Sequence, residues 1–446
     1  MVLLVCLVIA LPVVWLVAVR LEGEPPVLST SPSDLPVIGA DKALTVTASD
    51  PGSGIRRVWV GIFKDGKEAV LFEKDFPGGN PFLGGSVRHT DFNIRIEPKK
   101  LGITDGKAIL RMLVRDYSWR KWWNGNQTYR EIETVIDTRP PGIQALTRMH
   151  NINQGGTGLV IYRLSEPCRD SGVVVGENFF PGHTGYFGDK EIAMAFFALS
   201  HQQGKGTRIH LRAVDSAGNS AEAGFPHHIR RRRFKKDTIR ISDRFLNWKM
   251  PEFAGEIQTL SDDSLVNRFL AVNRKLREEN FKIIQAVGAK TSVDLHWDGA
   301  FLRLPNSATR AKFADQREYL YGGNVIDRQV HLGIDLASIA HSPVPAANSG
   351  RIAFAGSIGI YGKTIMIDHG FGLFSMYSHL SSIDVQTGQA VSKKEIIGRT
   401  GRTGLAGGDH LHFSMLVHNV FVNPIEWWDS SWIHNNITSK INATGS

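Results

Sequence analysis

The sequence predicts a mainly β protein with an N-terminal transmembrane helix, two β-sandwich modules, a helical connector and a C-terminal β domain. Three observations carry that prediction. The run Met1–Val19 holds no charged side chain, short β-rich runs punctuated by Pro, Gly and Asp recur before residue 230 and after residue 300, and Asp262 to Val287 has helical periodicity. At 446 residues, with 42% hydrophobic and 21% charged, the chain has a globular composition and is long enough for several domains. Cys6 and Cys168 are the only cysteines, which excludes a disulfide framework and a cysteine-rich metal site. Any metal must be held by His and carboxylate.

The elements follow in order. A helix over Met1–Val19 covers about 28 Å at 1.5 Å per residue, just enough for the hydrocarbon layer. Leu16-Val17-Ala18-Val19-Arg20 offers no good cleavage site, so an uncleaved anchor is favoured over a cleaved signal. The lack of basic residues before the run leaves an upstream start open. The expected location is the cell envelope, anchored in the inner membrane with the domains in the periplasm or otherwise outside the cytoplasm. Residues 21–36, rich in Pro, Ser and acidic side chains, read as a spacer.

Residues 37–137 read as the first sandwich, from Ala43–Ala48, Val58–Phe63, Phe92–Ile96 and Ala108–Val114 with turns such as Asp50-Pro51-Gly52-Ser53-Gly54 between them. Asp137-Thr138-Arg139-Pro140-Pro141 is a stiff junction, and residues 138–229 read as a second copy with Leu159–Tyr162 and Arg208–Asn219 as strands. The Asp-Thr-x-Pro-Pro opening and the Val-Asp-Ser-Ala-Gly-Asn close of this copy resemble bacterial immunoglobulin-like repeats. That resemblance implies spacing or binding rather than chemistry, and leaves the modules available to protein partners. His183, His201 and His210 are expected at the surface, and Cys168 as a small buried hydrophobe.

Residues 230–296 form a basic and helical connector. The net charge of +9 and the run Arg230-Arg231-Arg232-Arg233-Phe234-Lys235-Lys236 favour an anionic neighbour. With no nucleic-acid module recognisable, the run reads as a solvated basic face, and no nucleic-acid partner is expected. In the helix, Leu265, Phe269, Val272 and Leu276 form one apolar stripe, with Ser261 or Asp262 available as cap and Gly288 at the end. The helix is expected to orient the C-terminal domain relative to the sandwiches.

Residues 297–432 carry the chemistry, followed by a tail, 433–446. Phe301–Leu304, Gly350–Ala355, Thr364–Ile367 and Phe374–Tyr377 read as strands. A glycine-rich loop from Gly401 then leads into His410-Leu411-His412-Phe413, which as a strand puts His410 and His412 on one face about 7 Å apart. An isolated His-x-His is more often two unrelated polar residues. In His331-Leu332-Gly333-Ile334-Asp335, the glycine allows a bend that turns both end residues toward one point. An imidazole nitrogen and a carboxylate oxygen suit zinc, and His412 as third ligand leaves a fourth position open, as a catalytic site requires. His379 beside His410 makes two further imidazoles, one to accept a proton from zinc-activated water and one to polarise a carbonyl or stabilise an oxyanion. The sequence does not say which does which. Gly359–Thr364 fails as a phosphate loop because Ser357 stands at the first glycine position. His341, His369, His418 and His434 read as structural or surface residues.

Taken in order, His331-x-x-x-Asp335, Tyr377-x-His379-Leu380 and Gly401-x-Thr403-Gly404 leading to His410-Leu411-His412-Phe413 resemble the lysostaphin-type (LytM-like) zinc metallopeptidases of bacterial cell walls. The resemblance implies a compact antiparallel β domain with a groove for an extended peptide. It also implies zinc held by His331, Asp335 and His412, catalytic histidines at His379 and His410, and peptidoglycan stem or cross-bridge peptides as substrate. Asp409 stands where the family often has Pro, and Ser414 where Glu is common. The alternative reading is a non-catalytic adaptor that binds the wall or activates another hydrolase.

Overall fold

The computed structural model describes residues 13–17, 20–79, 84–256 and 264–445. Most of the expected N-terminal helix, residues 1–12, 18 and 19, lies outside them, as do the cap candidates Ser261 and Asp262. Among the described residues no helix is long and apolar enough to cross a membrane. The fold is mainly β, with several sheets and a helical connector.

Two compact units divide the chain, one of residues 1–141 and 214–221 and one of 142–213 and 222–446. In the first, the three-stranded sheet Val27–Ser31, Lys42–Ser49, His89–Ile96 faces a five-stranded sheet that includes Ile55–Lys64, Gly106–Asp116 and Gln127–Ile136. Strict alternation buries Leu44 and Val46 from one sheet against Val60, Ile62, Leu110 and Met112 from the other. Each predicted strand of this unit lies inside an observed one.

The second unit has one continuous core that runs from Ile152 to Ile437. Its central sheet is antiparallel, in the order Ala308–Ala311, Ile334–Ala337, Leu411–Val417, Leu373–Leu380, Gly362–Asp368, Gly350–Ile358, Ala390–Val391. Beside it, Lys236–Arg240 pairs in parallel with Gln316–Tyr321, which pairs antiparallel with Asn324–Val330.

Several expectations are corrected. Phe301–Leu304 is not a strand; Phe301 and Leu302 are buried or half-buried, and their amides bond the carbonyls of Trp427 and Ala347. The connector helix starts at Leu265, where Ser264 Oγ accepts from the Asn267 amide, and a π turn at Val272–Leu276 interrupts it before Arg277–Gly288. His210 is buried, although it shares a strand face with the half-buried Arg212 and Val214, His183 stacks on Phe371, and Cys168 is only half-buried. Arg230 to Arg233 are exposed, whereas Lys236 already belongs to a strand.

Within the second unit, Glu426 is buried and accepts hydrogen bonds from Asn153 Nδ2 at 2.6 Å and the Thr157 amide at 2.9 Å. Burial outweighs those bonds and pushes its carboxyl up to about 7. The folded state therefore binds this proton more tightly than the unfolded chain. Stability from this group is fully present below about pH 4.5 and is lost as pH rises to about 7, by on the order of 3 kcal/mol. Melting temperature measured against pH should show that decline in the native chain and lose it in Glu426→Gln; parallel curves would sink the assignment.

Candidate metal centre

The sheet register assembles the site. Asp335 lies directly opposite His412, and His412 opposite Ser378. Cross-strand partners share a face, so Asp335, His412 and Ser378 all point away from the core that Phe413 and Tyr377 enter. By the same alternation His379 should follow Tyr377 into the core. It does not: the register slips between Lys363 and Ile365, and His379 adopts φ +63°. This bulge turns the imidazole over onto the site face, where its ring lies 5.7 Å from that of His412 and 4.9 Å from that of His410.

His331 Nε2, His412 Nδ1 and Asp335 Oδ1 form a triangle with each side 2.9 Å, and all three residues are buried. The outer nitrogens are committed. His331 Nδ1 faces the Lys312 carbonyl at 3.0 Å, and a carbonyl can only accept, so the proton sits there and the Nε2 lone pair points into the triangle. On the other histidine, Ser414 Oγ donates to the Leu332 carbonyl and lies 3.1 Å from His412 Nε2, which donates to it and leaves Nδ1 free. Two imidazole nitrogens and one carboxylate oxygen converging in this way fit a zinc ion.

His379 Nδ1 donates to the Thr403 carbonyl at 2.9 Å and His410 Nδ1 to the Gly408 carbonyl at 2.8 Å, so both Nε2 atoms face the site as acceptors. His410 Nε2 lies 3.6 Å from Asp335 Oδ1. Burial, with His410 and His412 close by, holds His379 well below the usual imidazole value. His410 is also pulled down by burial, but the nearby Asp335 carboxylate outweighs it and raises it. Asp335 would be raised by burial, yet His331 and the surrounding hydrogen bonds hold it well below the carboxylate range.

Two residues not singled out from sequence belong to the site. Arg317 Nη2 donates to Asp335 Oδ2 at 2.9 Å, so one carboxylate oxygen is held by the guanidinium while the other faces the histidines. Lys249, fully buried in the connector, donates to the Arg402 carbonyl at 2.6 Å and to Glu252 at 3.0 Å, which pins the glycine-rich loop. Neither has a local motif, because each reaches the site through tertiary pairing. The two motif departures have roles as well. Ser414 fixes the His412 tautomer, and Asp409 accepts from Thr400 Oγ1 at 2.6 Å at the start of the loop.

Gly333 has no left-handed φ, so its role is close approach rather than the expected bend. A Cβ there would lie 2.6 Å from the His412 ring and from Ser414 Oγ. The site opens into a cavity of about 350 Å³ walled by Ile239, Ile241, Phe245, Phe269 and Arg277 of the connector. The connector is thus part of the groove as well as a spacer. His369 supports the sheet from beneath through Ser349 O and Ser375 Oγ, each at 2.7 Å.

The C-terminal residues have recognisable relatives. The chain is 39% identical over 97 residues to the DD-carboxypeptidase/endopeptidase Mpg of Neisseria meningitidis, covering 22% of either chain. It is 34% identical over 96 residues to the peptidoglycan DD-endopeptidase ShyA of Vibrio cholerae, again 22% of each. The matched stretch therefore spans about a fifth of the length of these curated relatives. Among solved structures, the catalytic domain of lysostaphin from Staphylococcus simulans is 28% identical, with 29% of this chain and 98% of that one covered and a TM-score of 0.25. Residues 329–424, which include all five site residues, match the sequence model of Peptidase family M23, so the chain carries a domain of that family at its C-terminal end.

Proposed function

We propose that the chain is a zinc-dependent endopeptidase that hydrolyses peptide bonds in the stem or cross-bridge peptides of peptidoglycan. The observation that carries this reading is the buried triangle of His331 Nε2, Asp335 Oδ1 and His412 Nδ1 with two further imidazole acceptors beside it. The substrate class is taken from relatives named as peptidoglycan DD-endopeptidases. Zinc held by the three ligands supplies Lewis acidity and an acidified water near neutral pH. His379 and His410, each with Nδ1 committed to a backbone carbonyl, offer Nε2 to take up a proton from the attacking water. Once protonated, either can return it to the leaving amine or stabilise negative charge on the carbonyl oxygen. Arg317 keeps Asp335 Oδ2 engaged, which leaves Oδ1 for the metal.

The apolar N-terminal run anchors the protein in the inner membrane. Metal analysis of the purified chain, with digestion of isolated sacculi and identification of the released muropeptides, tests the reading. Stoichiometric zinc and new peptide ends, both lost on chelation, are expected. Stoichiometric zinc with intact sacculi would favour the non-catalytic adaptor.

A further inference from the structure

The loop Trp119–Gly125 of the first unit exposes apolar surface, even though Trp123 packs its ring 4.9 Å from that of Trp119. Trp122 is 94% exposed and Trp123 57%, with Arg120 and Lys121 exposed beside them. The backbone holds them there at a cost. Lys121, Trp122 and Trp123 adopt φ of +53°, +54° and +70°, a left-handed run that non-glycine residues rarely take. Arg56 Nη1 donates to the Trp123 carbonyl at 3.0 Å, and the Gly125 amide to the Arg120 carbonyl at 3.1 Å, which locks the presentation. Strain maintained to keep two indoles in solvent indicates a partner for them.

The position of the loop identifies that partner. The Trp119 amide donates to the Arg20 carbonyl at 2.7 Å, Arg120 Nε to the Leu21 carbonyl at 2.8 Å, and Ser118 Oγ and Asn126 Nδ2 to the Glu22 carbonyl. The loop therefore grips the chain where it leaves the uncharged run Met1–Val19. In the described part of that run Val13, Val14 and Trp15 are exposed as well. Indole rings flanked by basic side chains suit the headgroup layer, where an apolar body and a polar N–H are both accommodated and anionic lipid attracts the cations. In the gripped segment, Glu22 is turned inward onto the Ser53 amide, while Glu24 is exposed.

We infer that Trp122 and Trp123, with Arg120 and Lys121, insert into the interface of an anionic bilayer beside the N-terminal anchor and fix the first unit against the membrane. The inference rests on the membrane attachment proposed above, not on the peptidase activity. To test it, the full chain is incorporated into phosphatidylcholine vesicles with and without phosphatidylglycerol, and hydrogen exchange is followed by mass spectrometry alongside flotation. Exchange across residues 120–124 should slow several-fold in the anionic vesicles. The protection should vanish in Trp122→Ser/Trp123→Ser while that variant still floats and melts like the native chain. Flotation with unchanged exchange, or protection by purified sacculi alone, overturns the inference. Failure of the native chain to float overturns the membrane attachment and this inference together.

Discussion

Replacing His331 with alanine should reduce bound zinc to a small fraction per chain and slow the hydrolysis of sacculi by at least roughly 1,000-fold. Its Nε2 is 2.9 Å from both Asp335 Oδ1 and His412 Nδ1, so its removal leaves two donors where a catalytic site needs three. The contrasting variant is His379→Ala, which should keep its zinc while activity falls by about 100- to 10,000-fold, the range of a lost proton-transfer group. Metal content and muropeptide release, measured on both variants, separate the two roles. Stoichiometric zinc in His331→Ala would remove it from the ligand set.

The second large effect should come from a residue that touches no metal. Gly333→Ala places a methyl 2.6 Å from the His412 ring and Ser414 Oγ. The ring cannot yield without leaving the triangle, and Ser414 is committed to the Leu332 carbonyl. Overpacking of this kind costs about 1–3 kcal/mol, and a displaced ligand or supporting group lowers metal affinity by about 10- to 100-fold. Urea unfolding and zinc competition with a chelator read the two effects separately. Because φ at residue 333 lies outside the left-handed region, native zinc affinity in this variant would refute the close-approach argument.

What the sequence made legible tracks the range of each interaction. Strands such as Lys42–Ser49 and Gly106–Asp116 are readable because alternation is local and one face is buried. The five residues that meet at the site were readable through three short motifs. His379 was readable as a residue but not as a direction, since only a register slip against Gly362–Asp368 turns it toward His410 and His412. Arg317 and Lys249 were invisible because their partners, Asp335 and the Arg402 carbonyl, are 18 and 153 residues away. The connector's apolar stripe was evident, and Phe269, Val272 and Leu276 join the core of the second unit, but that Phe269 walls the cavity was not legible, and Lys236–Arg240 became a strand only by pairing in parallel with Gln316–Tyr321.

That pairing separates two kinds of information along the chain. The candidate metal-binding set is written within residues 331–412, whereas Ile239, Ile241, Phe245, Phe269 and Arg277, which wall the cavity, are written up to about ninety residues earlier, outside the stretch that matches Peptidase family M23. Selectivity can therefore drift by substitution in residues 236–285 while the chemistry stays untouched. Exchanging that stretch between related chains would transplant a groove without transplanting a catalyst.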